Sequence, residues 1–256
     1  MILFEMVLSR IYDTFCCRRK KSGWFFTLHE YKKKKLSGRL SFIFRRLFLF
    51  GYTRLKLRHY RNKRMNRGID GYINGQGLEV GDMRLGSSRI EDVGCECIAV
   101  CNAMHRINRH TPLCDVICEI EMNHMTWFDL GGCLGIDPRK LYRYFDAHNV
   151  KYKTFGDMAE FEKKAKNRTC ILGYRIAGSR FRVHTVMLYQ LNGSWIVYNR
   201  YSNSQKPMSF SSLNDVIGKG KFIVGHVIYR KQKQGPNALS PSNKEKTDIP
   251  EKITKL

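Results

Sequence analysis

The chain has 256 residues, of which 43% are hydrophobic, so it suits one domain of ordinary size with extensions and is not disordered along its whole length. Its formal net charge of +24 lies mainly at the ends: residues 1–75 contain 19 lysines and arginines against 4 acidic residues, and residues 230–256 contain 7 against 3. The middle keeps 20 against 15, so any argument from charge concerns the extensions and not the domain.

Nine cysteines are present, and five of them lie within residues 95–118. A secreted disulfide scaffold is normally smaller and carries an even set of cysteines, so we expect free thiols and a reducing compartment. No secretory signal stands out, because the apolar start Met1–Leu8 is short and contains Glu5. These features predict a cytoplasmic protein.

Residues 1–71 form a basic, aromatic-rich N-terminal extension, in which clusters such as Lys32–Lys35 alternate with apolar patches such as Leu47–Phe50. One interpretation is peripheral association with an anionic membrane surface, through lysine and arginine attraction and apolar insertion. The other interpretation is that the apolar residues pack back on the domain. Binding to a nucleic-acid surface through the same extension is a further alternative, which we favour less because the segment contains no recognition motif and the domain itself is not notably basic.

Four helices are predicted after an irregular, glycine-rich segment at residues 67–93. Thr111-Pro112 and Asp137-Pro138 are typical of a helix start, since a side-chain cap is followed by proline in the first turn. Small and apolar residues fill the first of the four, which we expect to be buried. The predicted helices occupy residues 94–107, residues 111–124, the residues from 137 onward, and residues 157–166.

After Thr169 the pattern changes to short runs rich in valine, isoleucine and tyrosine, which predict strands. Helices followed by antiparallel strands predict an α+β fold. The tail, residues 231–256, is polar and contains prolines and serines, so we expect it to be disordered. The predicted strands are residues 170–176, 182–191, 194–200 and 222–230.

Cys95 is the first candidate for a catalytic residue. It follows Gly94 at the predicted start of a buried helix, where the helix dipole and the free N–H groups favour a thiolate. Many cysteines at helix starts are merely small residues, so the position alone is not sufficient. A cysteine nucleophile also needs a histidine that takes its proton and a third group that orients the histidine.

A predicted hairpin supplies such a pair. Asn192-Gly193 favours a two-residue turn, in which Leu191 faces Ser194 and the numbers of opposed residues sum to 385. His184 and Asn199 then lie on one face of the sheet as diagonal neighbours, about 7–8 Å apart at the backbone. We expect the Asn199 amide to bridge this gap to the imidazole.

The order of a cysteine, a histidine and an asparagine resembles that of papain-like cysteine peptidases. Gly94–Met104, His184–Leu188 and Val197–Asn199 resemble motifs of the bacteriocin-leader (double-glycine) peptidase domains of bacteria and their single-domain relatives. The resemblance covers residues 72–230. It implies a helical half, with the nucleophile at a helix start, packed on an antiparallel sheet that carries the histidine and asparagine. It also implies hydrolysis of a peptide bond in a peptide or protein substrate, with no metal and no organic cofactor.

Two positions depart from the family pattern. Glu96 replaces the glycine that commonly follows the nucleophile, and no glutamine lies a few residues before Cys95 to complete the oxyanion hole. Gln76, nineteen residues upstream of Cys95, could fold back to this place, and Ser88 is a second candidate. Without such a donor the protein would be a slow enzyme, or a peptidase-like domain that binds peptides without cleaving them.

Cys97 is the alternative nucleophile, although it falls deeper in the helix on the same stripe as Cys101, which favours a place in the core. Cys97, Cys101 and His105 also follow one another at intervals of four residues, as ligands of a zinc ion on one helix face would. We prefer buried free thiols to a zinc site, because the chain lacks the CxxC pairs of familiar structural zinc sites. Cys114 and Cys118 are also four residues apart, and we again prefer free thiols to a zinc site there.

Overall fold

The computed structural model describes residues 38–66, 69, 71–126, 135–179 and 182–230. Residues 1–37 of the predicted extension and the predicted disordered tail, residues 231–256, lie outside the described residues. No helix within the described ranges is long and apolar enough to cross a membrane.

Helix α1, Gly38–Met65, lies within the predicted extension and precedes the domain. Near its end, Arg58 Nη2 donates a hydrogen bond of 2.9 Å to Glu121 Oε2. Asn62 is 1% exposed and exchanges two hydrogen bonds with the backbone of Arg84, at 2.8 and 2.9 Å. The last turns of α1 therefore contact the domain through polar side chains, whereas the side chains of the apolar patch Leu47–Phe50 lie outside the described ones. The boundary at residue 72 stays a prediction.

The predicted helices are present with small shifts at their ends. Asp157 caps its helix by accepting a hydrogen bond of 2.9 Å from the backbone of Glu160, and Asp137 accepts one of 3.0 Å from Arg139. The segment after Asp137 begins as a 3-10 helix, Pro138–Leu141, before it becomes α-helical. The helices and the first short strands are β1 (Arg84–Leu85), β2 (Ser88–Arg89), α2 (Ile90–Val93), α3 (Cys95–Arg106), α4 (Leu113–Met122), α5 (Tyr142–Ala147), α6 (Met158–Ala165) and α7 (Leu213–Ile217).

One six-stranded antiparallel sheet follows, in the order β3-β8-β4-β5-β6-β7. With the helices it confirms the predicted α+β fold. The sequence pattern missed β3, β7 and α7, and also β1, β2 and α2 within the segment predicted to be irregular. The residues of β3 are mostly exposed, and its lysines are typical of an edge strand that resists pairing with other chains. The strands are β3 (Lys151–Phe155), β4 (Thr169–Arg175), β5 (Val183–Leu191), β6 (Ser194–Tyr198), β7 (Met208–Phe210) and β8 (Lys221–Tyr229).

The register of the β5–β6 hairpin is the predicted one. Leu191 pairs with Ser194 and Met187 with Tyr198, so the paired residue numbers sum to 385. Asn192 and Gly193 take positive φ angles of 49° and 82°, as a tight hairpin turn that matches the strand twist requires.

The sheet separates two apolar clusters, because successive side chains of a strand point to opposite faces. Ile171 of β4 joins the cluster formed with α3 and α4, which we call the helical-side cluster. Its neighbour Leu172 joins the second cluster, formed with α6 and α7, which we call the outer cluster. Helix α3 thus lies against the sheet, with its first residue, Cys95, directed toward β5.

Candidate functional site

The start of α3 depends on Gly94. A Cβ at this position would lie 2.5 Å from Cγ2 and 2.8 Å from the carbonyl oxygen of Ile90. Any side chain would therefore force α2 and α3 apart. The glycine allows Cys95 to be the first helical residue directly after the turn of α2, where it is 6% exposed.

The Cys95 thiol is held in its neutral form. Its Sγ donates a hydrogen bond of 3.2 Å to Oε2 of Glu96, which is 2% exposed. Burial raises the pKa of Cys95 well above its usual range, and the charge and hydrogen bond of Glu96 raise it further. A backbone hydrogen bond from Thr185 lowers this pKa but does not offset the other effects. The expected thiolate at the helix start is therefore absent in this resting arrangement.

His184 lies in β5, directly before Thr185, and is half-buried. Its Nε2 donates a hydrogen bond of 2.7 Å to the backbone carbonyl of Asn199. Because a carbonyl oxygen only accepts, Nε2 carries the ring proton and Nδ1 is the nitrogen that can take one up. Burial lowers the pKa of His184 to about 4, so the ring is neutral at pH 7. In the described chain, the ring and the Cys95 thiol are not hydrogen-bonded to each other.

Asn199 orients His184 through a different group from the one that we expected. Its side chain, 1% exposed, turns to Gln76, accepting a hydrogen bond of 2.9 Å from the backbone N–H and donating one of 3.2 Å to Oε1. The backbone carbonyl of Asn199 holds the imidazole instead. The cause is local: Asn199 follows the end of β6 with a φ of +58°, which rotates its side chain out of the register of the strand.

Gln76 folds back to the turn before α3, and its role as an oxyanion donor stays a prediction. Its Nε2 donates a hydrogen bond of 2.7 Å to the carbonyl of Glu91, four residues before Cys95. Gly75 makes this approach possible, because a Cβ there would lie 2.7 Å from the carbonyl oxygen of Ser204. The Gln76 amide therefore lies between Asn199 and the turn that leads into α3. An amide nitrogen carries two hydrogens, and the bond to Glu91 uses one of them.

Ser88 and Cys97 have less support from the structure. Ser88 pairs with Leu85 in the β1–β2 hairpin, and no hydrogen bond in the described chain joins it to Gln76, Cys95 or His184. Cys97 is 0% exposed and packs in the helical-side cluster. Cys95 belongs to neither apolar cluster, which favours it over Cys97 as the residue that meets a substrate.

The zinc alternative takes a different form in the structure. Cys101 packs in the helical-side cluster with Cys97. Among the described residues, three other potential ligand atoms lie within 4.8 Å of one another, those of His59, Cys114 and Asp115. His59 Nε2 lies 3.5 Å from Asp115 Oδ1, and these contacts are equally well explained as packing between α1 and α4.

Sequence reasoning missed the roles of Glu96 and Thr185. Glu96 appeared only as a departure from the family pattern, whereas its carboxylate touches the candidate nucleophile and accepts a hydrogen bond of 2.9 Å from Thr185 Oγ1. The available signal was a lone acidic residue within an otherwise small and apolar helical turn. Such a residue, when it is buried, requires hydrogen-bonding partners close by.

Comparisons with known proteins give little beyond the fold. No protein-family model matches the chain, and no curated protein matches it. Among solved structures, it is similar to the peptidase domain of Streptococcus ComA, a bifunctional ABC transporter involved in a quorum-sensing pathway. The identity is 12%, the coverage is 52% of this chain and 89% of that chain, and the TM-score is 0.39. At this level the likeness carries no argument about function, which must come from the site itself.

Proposed function

We propose that this protein is a cysteine peptidase that hydrolyses a peptide bond, with Cys95 as the nucleophile, His184 as its proton acceptor and Asn199 as the residue that orients His184. The substrate is a peptide or a protein. Neither a metal ion nor an organic cofactor takes part in the proposed reaction.

The observation that carries the proposal is that the first residue of α3 meets β5, the strand that contains His184, and that Asn199 binds the His184 ring. The start of α3 brings Cys95 against the backbone of Thr185, the neighbour of His184 in β5. The carbonyl of Asn199 fixes the imidazole in the tautomer whose Nδ1 can accept a proton. A nucleophile, a base and a group that orients the base are the parts that covalent catalysis of acyl transfer requires.

The proposed reaction has two stages. The thiol proton passes from Cys95 to Nδ1 of His184, and the thiolate attacks the carbonyl carbon of the scissile bond. His184 then gives the proton to the leaving amine as the C–N bond breaks, and water hydrolyses the acyl-enzyme. The backbone N–H of Cys95 and the second Nε2 hydrogen of Gln76 would stabilise the oxyanion.

A second candidate function is peptide binding without cleavage. It is favoured by the hydrogen bond of the Cys95 thiol, which goes to Glu96 and not to His184. Under either function, association of the basic N-terminal extension with an anionic membrane surface remains a proposal. Much of that extension lies outside the described residues.

Active-site titration tests the proposal. Purified protein is treated with iodoacetamide or a peptidyl electrophile, and labelling of each cysteine is followed by mass spectrometry. We expect pH-dependent labelling of Cys95 that becomes slower in His184→Ala, whereas labelling of Cys118, a partly exposed thiol of α4 and the internal control, should not change. We also expect hydrolysis of a peptide library that is lost in Cys95→Ala. Equal, slow labelling of all the thiols and no hydrolysis would favour the binding function.

A further inference from the structure

The Glu96 carboxylate links the candidate nucleophile to the strand that carries the candidate base. Oε2 accepts a hydrogen bond of 3.2 Å from the Cys95 thiol, and Oε1 accepts one of 2.9 Å from the Thr185 hydroxyl. All three residues are buried, with exposures of 2% for Glu96, 6% for Cys95 and 0% for Thr185. One side chain thus sets both the direction of the thiol and its distance from β5.

The two contacts to Glu96 are those of an acceptor. A thiol and a hydroxyl both donate to it, and no lysine or arginine of the described ranges forms an ion pair with it. A negative charge in such a place opposes a second negative charge on the adjacent sulfur. The hydrogen bond to Glu96 also engages the thiol proton that His184 would have to accept.

We propose that Glu96 is a positioning residue that holds the Cys95 thiol protonated and directed at its own carboxylate, so that the nucleophile is released when Glu96 loses its charge or its contact. The consequence for catalysis rests on the proposed peptidase function. The effect of Glu96 on the protonation and direction of the thiol, which we call the hold, does not rest on that function, because thiol reactivity can be measured without a peptide substrate.

The substitution Glu96→Gln separates charge from shape. The amide oxygen can keep accepting the hydrogen bond from Thr185, while the amide nitrogen, which donates, faces the sulfur. A donor in place of an anion stabilises the thiolate by a hydrogen bond and removes the repulsion. The volume of the side chain hardly changes, so packing at the start of α3 is preserved.

The pH dependence of the hold follows from the surroundings of Glu96. Burial raises its pKa to about 7, against the hydrogen bonds from Cys95 and Thr185 that lower it. The hold is therefore present above about pH 7 and weakens as the pH falls below that value. The other titratable or charged groups of the packed elements that bear on Glu96 and the neighbouring thiols are Cys97, Cys101, Glu121, Asp137 and Tyr174.

The test is the alkylation rate of Cys95 by iodoacetamide between about pH 5.5 and pH 8.5, with tandem mass spectrometry to separate Cys95 from the other cysteines of its peptide. Wild type is compared with Glu96→Gln, and Glu119→Gln in α4 controls for the loss of a partly buried negative charge elsewhere. We expect Glu96→Gln to react about tenfold faster or more at the alkaline end, with the ratio approaching one at the acidic end. Glu119→Gln should match the wild type throughout.

Two results would overturn the proposal. Slower labelling of Glu96→Gln above pH 7 would mean that Glu96 assists deprotonation of the thiol, and a ratio that does not change with pH would mean that it only fills space. If Glu96→Gln does not fold, the pH dependence of Cys95 labelling in the wild type still tests the proposal. A held thiol gains reactivity with pH less steeply than Cys118 does above about pH 7, and equal slopes would contradict the hold. Peptide hydrolysis that survives Cys95→Ala would instead refute the peptidase proposal, and it leaves the alkylation result standing.

Discussion

Two histidines of this protein have the same charge state and different surroundings. Burial lowers the pKa of both His184 and His226 to about 4, and Nε2 of each ring donates a hydrogen bond to a backbone carbonyl. The difference lies at Nδ1. In His226 this nitrogen accepts a hydrogen bond of 2.9 Å from the Thr154 hydroxyl. His184 has no such side-chain donor among the described residues, and its ring interacts with the backbone of Asn199 and Arg200.

This comparison separates a structural histidine from a candidate catalytic one. Both are neutral and oriented, so burial and a shifted pKa do not identify function. What distinguishes His184 is a ring nitrogen that has no side-chain donor among the described residues and can therefore accept a proton. His226 is 0% exposed, and both of its ring nitrogens form hydrogen bonds, which hold β8 to β3 and to Pro138.

The largest expected contrast comes from replacing each histidine by alanine. His226→Ala leaves a cavity and an unpaired carbonyl at Pro138, so we expect the free energy of unfolding to fall by about 3 kcal/mol. Urea unfolding measures this loss. The rate of Cys95 alkylation, corrected for the folded fraction, should not change.

His184→Ala should give the opposite pattern. Loss of the proton acceptor should slow the labelling of Cys95 by about 100-fold, whereas the half-buried position makes the stability loss smaller than that of His226→Ala. A variant of His226 that slows labelling as strongly as His184→Ala would remove the distinction between the two residues.

The pH dependence of stability tests the charge states. The folded pKa of each histidine lies below its unfolded value, so the stability gained by keeping it neutral is present above about pH 6.5 and lost as the pH falls toward 4. For the fully buried His226 this amounts to about 3 kcal/mol. The pKa of Glu96 is raised to about 7, so its contribution is present below about pH 4.5 and is lost as the pH rises through 7.

The two effects oppose each other in the wild type, and Glu96→Gln removes one of them. We therefore expect the stability of Glu96→Gln to fall more steeply than that of the wild type as the pH decreases from 7 to about 4.5. Urea unfolding at each pH measures the difference. Parallel curves would show that Glu96 does not change its protonation between the folded and unfolded states.

Asn199, which holds His184 in place, should be the next most sensitive position. Asn199→Gly removes the two hydrogen bonds between its amide and Gln76, and we expect a loss of about 2 kcal/mol. Asn199→Ala should cost about 1 kcal/mol more, because alanine disfavours the φ of +58°. Asn192, exposed at φ +49° in the hairpin turn, provides the matched pair, since its two variants should differ by the conformational cost alone.

The sequence could predict one half of this site and not the other. Side-chain alternation and the Asn192-Gly193 turn are local, so they gave the register that brings His184 and Asn199 together. The partner of the Asn199 amide lies 123 residues away, in Gln76, and depends on how a glycine-rich segment returns to the sheet. No periodicity encodes such a contact.

The surroundings of the Cys95 thiol could not be predicted from the sequence, for a different reason. That Cys95 begins a helix follows from Gly94 and the apolar residues after it. Whether the thiol faces a base or an acid depends on the side-chain rotamer of Glu96 and on the hydroxyl of Thr185. Helix position predicts a lowered pKa for a cysteine, and here burial and an adjacent carboxylate outweigh it.

The smallest expected effect sharpens the contrast between the histidines most directly. Thr154→Val removes the hydroxyl that occupies Nδ1 of His226 and leaves the β-branched shape in β3, so His226 comes to resemble His184. We expect a loss of about 1 kcal/mol in the free energy of unfolding. Thr169→Val, in β4 on the other side of β8, is the control, because its hydroxyl makes no hydrogen bond in the described chain.

If Thr154→Val and Thr169→Val have equal stability, the hydroxyl does not hold His226, and the occupied nitrogen no longer separates the two histidines. If only Thr154→Val is destabilised while the labelling of Cys95 stays at the wild-type rate, an acceptor nitrogen alone does not confer reactivity. Proximity to the thiol must then be the second requirement, and the proposed function assigns it to His184.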